Sequence, residues 1–194
     1  MNKDRGYRKS NIPKGAQRTF EGAIFDVYQW EQELYDGSTE TFERIVRPDT
    51  VAVFPILENN DIFLVKDTQP QRDTVITAPT GRIEEGETPE EATRRELLEE
   101  TGLSANTLTL WHSYQLTSKL DWFVYVFIGR GCKKINEPTP DAGEKIEPYP
   151  VSFDALSELV VSGKMRGDGF LERIFLEARH DQKKMDELKA KFFG

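Results

Sequence analysis

Gly81-Arg82-Ile83-Glu84-Glu85-Gly86-Glu87-Thr88-Pro89-Glu90-Glu91-Ala92-Thr93-Arg94-Arg95-Glu96-Leu97-Leu98-Glu99-Glu100-Thr101-Gly102-Leu103 decides how this chain is read. Glu96, Glu99 and Glu100 fall at i, i+3 and i+4, which stacks three carboxylates on one helix face. Like charges so placed repel and weaken an isolated helix. A divalent cation removes the conflict. Hard oxygen donors suit Mg²⁺ or Mn²⁺, and Mg²⁺ typically arrives with a substrate phosphate. The helix boundaries lie in the same stretch. Thr88 is a natural N-cap, Pro89 suits the first helical position and Glu91 completes a capping box. Gly102 supplies a left-handed stop, so the predicted helix covers 89–101. Ala92, Leu97 and Leu103 give its core-facing side, and Gly81 and Gly86 permit a tight loop ahead of it. A solvated acidic helix after a turn would explain the charge. It would not explain the two glycines, the arginine and the spacing together.

Working outward, 194 residues suit one compact domain with a small appended subdomain at most. A hydrophobic content of 37%, including 12 Phe, is enough for a core. The net charge of −8 argues against a general nucleic-acid surface, which needs a basic face. The single cysteine, Cys132, excludes an internal disulfide, fits a reducing cytoplasm and reads as a strand-end bystander. Met1-Asn2-Lys3-Asp4-Arg5 opens polar with no apolar stretch behind it, so no secretory signal is expected. No run approaches the roughly 18 apolar residues that span a membrane. His112 and His180 lie too far apart in sequence to suggest a histidine metal site, and His112 reads as packed. The expected location is cytoplasmic, with no membrane and no nucleic acid as partner.

Three parts follow along the chain. Residues 1–17 are basic and polar and are expected to be mobile. Residues 18–48 alternate, are rich in aromatics and turn at Asp36-Gly37, which predicts a small β-hairpin subdomain. Residues 49–194 form the main domain. Strands are predicted at Val51–Ile56, Asp61–Lys66, Leu108–Tyr114, Trp122–Ile128 and Ile146–Val151. Helices are predicted at Phe153–Val161, with Ser152 or Asp154 near its cap, and around Leu171, Ile174, Phe175 and Ala178. The stretch Asp181–Lys191 is charged and expected to be solvated. Strands interleaved with helices predict an α/β fold, a sheet with helices on both faces.

The segment 81–103 resembles the Nudix signature at every specified position: Gly81, Glu87, Arg95, Glu96, Leu97, Glu99, Glu100, Gly102 and Leu103. The resemblance covers about residues 18–180. It implies an α/β/α sandwich with a mixed sheet, preceded by the hairpin subdomain. It also implies Mg²⁺-dependent hydrolysis of a nucleoside diphosphate linked to a group X. Within the family the chain looks closest to the ADP-ribose and nucleoside-diphosphate-sugar pyrophosphatases. Thr77-Ala78-Pro79-Thr80-Gly81, the acidic stretch Asp141–Glu147 with the following 151–156, and Lys164–Gly169 are similar to that group. Thr77 stands where many of its members have glutamate. Leu116-Thr117-Ser118-Lys119-Leu120 stands where ADP-ribose members carry Ser-Pro-Gly, which sets a nucleotide sugar level with ADP-ribose.

Carried over, Glu96, Glu99 and Glu100 are the implied metal ligands, joined by the backbone carbonyl near Gly81. Glu87, Arg95 and Gly102 are the structural members of the box. A guanidinium beside several carboxylates fixes their geometry through bidentate hydrogen bonds. Glu144 is the candidate for positioning or deprotonating the attacking water, with Glu147 as its rival and Glu100 as a further catalytic carboxylate. An ordinary acidic surface loop is an even alternative for 141–147. Arg47 and Arg72 stand where substrate phosphates would be met. Tyr28 and Trp30 are placed either to stack on a base or, the favoured reading, to fill the hairpin. The implied partners are a small nucleotide substrate and a second copy of the chain, paired through the N-terminal β-subdomain. Two other readings stay open: an enzyme acting on a dinucleotide or nucleoside triphosphate, and a Nudix module that binds a nucleotide without cleaving it.

Overall fold

In the computed structural model, which describes residue 8 and residues 10–139, 143–167 and 169–194, two central strands explain the layering. Strands β4 (Thr50–Leu57) and β11 (Phe123–Lys134) run parallel, with Val51 beside Tyr125 and Val53 beside Phe127. Alternate residues of a strand face opposite sides, so each strand feeds two cores. Val51, Val53 and Phe127 pack with Ala92 and Leu97 of helix α1 (Pro89–Thr101). Phe54, Ile56, Val126 and Ile128 face the other way. They meet Leu156 and Val160 of α2 (Phe153–Val161), Leu171 and Phe175 of α3 (Phe170–Arg179), and Leu188 and Phe192 of α4 (Gln182–Phe193). The result is the α/β/α sandwich with a mixed sheet.

The main sheet runs β12 (Lys145–Val151), β5 (Ile62–Thr68), β4, β11, β8 (Leu103–Ser104). Strand β6 (Val75–Thr77) adds to β5, β7 (Thr80–Arg82) to β4 and β9 (Thr107–Gln115) to β11. Ahead of it, β2 (Asp26–Glu33) and β3 (Thr39–Val46) form the hairpin. The turn between them has Gly37 at φ 83°, a left-handed value that suits glycine. The hairpin does not stand alone. Strand β1 (Gln17–Glu21) flanks β2, and β10 (Leu120–Asp121), supplied by the main domain, pairs in parallel with β3.

Two segments read as polar surface carry packing. In 181–191, expected as solvated, the chain forms α4, capped by Asp181 accepting from the amides of Lys183 and Lys184. Leu188 and Phe192 on its inner face are buried, and the Phe192 ring meets Phe54, Trp111 and Phe153 edge-on. Arg130 holds the far end of α4 by donating to the carbonyls of Lys191 and Phe192. Within the first 17 residues, Arg8 is bound between two buried carboxylates, and Ile12 and Ala16 pack with Tyr28 and Val46. His112 stacks on Phe170, centroids 3.6 Å apart. Cys132 is buried in β11, and burial pushes its thiol up to about 11, far from a reactive thiolate. No helix among the described residues is long and apolar enough to cross a membrane.

Candidate active site

Helix α1 begins with its box made: the Thr88 side chain accepts from the Glu91 amide, and Glu91 Oε2 accepts from the Thr88 amide at 2.8 Å. It ends at Gly102 with φ 70° and an amide donating to Leu98. The termini set the rotation of the helix, and so the direction of its acidic face. Glu100 is nearly buried and accepts from the Thr80 amide at 3.2 Å. The Glu96 carboxyl lies in the space a side chain at position 81 would fill: a Cβ on Gly81 would fall 1.7 Å from Glu96 Cδ.

Arg95 organises the loop and the helix together. It forks onto both oxygens of Glu87 at 2.8 and 3.0 Å. The same guanidinium donates to Glu96 Oε1 at 2.7 Å, Glu99 Oε2 at 3.0 Å and the Arg82 carbonyl at 2.8 Å. The Glu87 carboxyl is accordingly held below its ordinary range, chiefly by Arg95.

Glu144 reaches the same cleft from the segment ahead of β12 and accepts from Gln69 Nε2 at 2.8 Å. Asp67, on the α1-facing phase of β5, is buried and paired with Arg72. Burial pushes the Glu96 carboxyl up to about 7, the charges of Glu99 and Glu144 adding to it against Arg95. Burial also pushes Glu100 up to about 9, reinforced by Glu96, Glu144 and Asp67. In both, burial penalises the charged form. As the side chains stand, no three acidic, histidine or cysteine groups among the described residues converge tightly enough to hold an ion. Arg95 draws Glu96 and Glu99 to itself, and Thr80 holds Glu100. The donor set nevertheless fits a hard divalent cation, since it is all oxygen and repels itself. The buried Asp67 Oδ1, which has no hydrogen-bond partner, adds to that fit.

The cleft holds about 690 Å³. Glu96, Glu99, Glu100, Glu144, Gly81 and Arg95 line it, and so does Arg47. Arg72, Tyr28, Trp30 and Glu147 are not in its lining. Arg72 is turned onto Asp67. Tyr28 is buried in the hairpin cluster, and Trp30 packs against that cluster with its indole donating to Gln32. Glu147 projects outward from β12 and pairs with Lys145 at 2.6 Å, its side chain half exposed. Asp141 lies outside the described residues. The sequence reading missed Asp67, Gln69, Arg82, Arg166 and Trp122. Asp67 left a trace, a charged residue in strand phase with Phe63 and Val65. Arg166 lies in the Lys164–Gly169 stretch that resembles the group, but its approach to the cleft depends on the segment after α2 pairing with β6, where its amide donates to Ile76.

Arg47, Arg82 and Arg166 face the same cleft from three separate segments of the chain. Burial and the charges of Arg82 and Arg166 lower the Arg47 pKa from its usual value. Arg47 stacks over the Trp122 ring at 4.2 Å. One cleft thus holds a carboxylate cluster and a guanidinium cluster.

With this geometry the family comparison agrees. A NUDIX domain model matches residues 46–173, and the chain belongs to the Nudix family. Its class is that of the Nudix pyrophosphohydrolases. Among its relatives is the ADP-ribose pyrophosphatase of Bacillus subtilis (strain 168), 32% identical over 149 residues, covering 75% of this chain and 80% of that protein. Another is the methanol dehydrogenase activator of Bacillus methanolicus, 27% identical over 141 residues, covering 71% of this chain and 76% of that protein. The solved structure of an ADP compounds hydrolase superposes with a TM-score of 0.68 at 20% identity, covering 86% of this chain and 94% of that one, which shows the shared fold.

Proposed function

We propose that this chain hydrolyses the diphosphate bond of a nucleoside diphosphate linked to X, with ADP-ribose or a nucleotide sugar as substrate. The products are a nucleoside monophosphate and a sugar phosphate. The observation that carries this reading is the meeting of Glu96, Glu99, Glu100 and Glu144 with Arg47, Arg82 and Arg166 in one cleft. The similarity to an ADP-ribose pyrophosphatase supports ADP-ribose in particular.

Glu96, Glu99, Glu100 and the Gly81 carbonyl are the groups that would hold Mg²⁺ or Mn²⁺. When bound, such a cation neutralises diphosphate charge and makes water more acidic. The chain's own residues do the rest. Arg95 keeps Glu96 and Glu99 in place, and the Thr80 amide keeps Glu100 in place. Glu144, oriented by Gln69, accepts the proton of the attacking water. The arginines meet phosphate oxygens, for which a planar guanidinium fork is suited. A homodimer formed through the N-terminal sheet completes the reading. Its support is the exposure of Phe20, Ile24, Phe25 and Ile45 on that sheet and the loop beside it. A monomer in light scattering at working concentration would count against it.

The test is a hydrolysis screen with Mg²⁺ and Mn²⁺ over ADP-ribose, GDP-mannose, UDP-glucose, NADH, diadenosine polyphosphates and nucleoside triphosphates. Cleavage of a diphosphate-linked sugar is expected, with Glu100→Gln inactive. Glu144→Gln should lower kcat by about 10²–10⁴-fold, the usual contribution of a general base, with substrate still bound. No cleavage across the panel by folded protein would overturn the proposal.

A further inference from the structure

The back wall of the cleft is braced by a residue outside the signature. Asp49 and Asp121 are buried, their side chains 0% and 1% exposed. The Arg8 guanidinium contacts both. Arg8 Nε and Nη2 donate to Asp49 Oδ2 and Oδ1 at 2.7 and 2.8 Å, and Nη2 lies 2.7 Å from Asp121 Oδ1. Ser10 Oγ donates to Asp121 Oδ2 at 2.6 Å, and Arg8 lies over the Phe123 ring at 4.4 Å. Burial opposes a charge at Arg8, but the Asp49 hydrogen bonds and the two carboxylates outweigh it and raise its pKa from the usual value.

What the brace holds is the substrate-facing wall. Asp49 lies between Arg47 and Thr50, and Asp121 immediately precedes Trp122, all three neighbours lining the cleft. The two chain crossings are tied at several points. Asp49 Oδ1 accepts from the Phe123 amide at 2.7 Å, and the Trp122 indole donates to Thr50 Oγ1 at 3.1 Å. The Asp121 carbonyl accepts from the Arg47 amide at 3.4 Å. The Asp49 carbonyl accepts from the Ile83 amide at 2.8 Å, which extends the tie to the end of β7, the strand bearing Gly81 and Arg82. Removing Arg8 takes a cation and its hydrogen bonds from between two buried carboxylates, which favours their movement toward water.

We propose that Arg8 is a positioning residue of the cleft: it braces the crossings at 47–50 and 121–123 and so sets Arg47, Trp122 and Arg82 for substrate binding. The residue touches no substrate and acts through these three. The inference rests on the pyrophosphohydrolase reading for its kinetic arm. It has a second arm that does not: the indole N–H resonance of Trp122, whose hydrogen bond to Thr50 spans the braced crossings.

The experiment compares wild type, Arg8→Ala and Arg8→Lys on the best substrate of the screen, with the Trp122 resonance read on the same proteins. In Arg8→Ala, KM should rise about tenfold with kcat within about threefold, the pattern of lost uniform binding. The Trp122 resonance should shift. Free guanidinium, well below concentrations that unfold the protein, should restore both readouts. Arg8→Lys keeps the charge and loses the fork, so it should fall between the two. An unchanged Trp122 resonance, or a loss of kcat with KM constant, overturns the proposal. If Arg8→Ala does not fold, Arg8→Lys decides by the same criteria. If wild type cleaves nothing in the screen, the functional reading fails and the resonance alone decides on Arg8.

Discussion

At the scale of the residue, two glycines of the signature are required for different reasons, and substitution separates them. At Gly81 an added Cβ meets the Glu96 carboxyl, the mobile end of a side chain that can rotate away. Gly81→Ala should therefore leave stability within about 1 kcal/mol, the range of a substitution that strains no backbone. It should still remove activity, because Glu96 leaves the acidic cluster. At Gly102 an added Cβ would fall 2.1 Å from the Asn136 carbonyl oxygen, and φ is 70°. Backbone on both sides cannot yield, so Gly102→Ala should cost more than about 1 kcal/mol of stability. Denaturant midpoints and turnover, measured on both variants, check the contrast. Equal destabilisation would remove the distinction. Sequence marked both positions as glycine. Only the structure shows which one serves a carboxylate and which a helix stop.

At the scale of the element, α1 was legible because everything that builds it is local. The Thr88–Glu91 box and Gly102 delimit it, and i, i+3, i+4 spacing aligns its carboxylates. The titration of Glu96 and Glu100 was not legible, since it depends on burial beneath β7 and on charges brought from Asp67 and Glu144. A carboxyl with its folded pKa raised binds more protons folded than unfolded above the unfolded value. Its stabilisation is present below about 4.5, the ordinary glutamate value, and is lost as pH rises through about 7 for Glu96 and about 9 for Glu100. The metal-free protein should thus lose Tm steadily across that window. Added Mg²⁺ should restore more Tm at the alkaline end than at the acidic end, because the ion needs the ionised carboxylates. Thermal melts in chelator and in Mg²⁺ over the window test this. A Tm in chelator that climbs with pH would contradict it.

At the scale of the whole molecule, the C-terminal helix is part of the core. Phe192 is fully buried against Phe54, Trp111, Phe153 and Phe175, which ties α4 to the sheet and to α2 and α3. Phe192→Ala should destabilise the protein by about 3–5 kcal/mol, the usual cost of an emptied aromatic site. Loss of under 1 kcal/mol in urea unfolding would mean that α4 packs loosely. The charged surface of α4 hid this role. Its inner face offers few apolar residues, and they mean something only against a core assembled from distant strands.

The sequence by itself determined the acidic helix of the signature, its caps, its carboxylate face and the order of strands that makes an α/β domain. Each follows from neighbours along the chain, where propensity, capping and periodicity act. Tertiary structure alone decided which groups share the cleft. It brought Glu144 and Arg166 to the cleft that α1 lines, turned Glu147 and Arg72 away, and buried Arg8 between Asp49 and Asp121. Those outcomes depend on strand pairing and burial between segments far apart in sequence, where a side chain's direction and its charge are set by what folds against it.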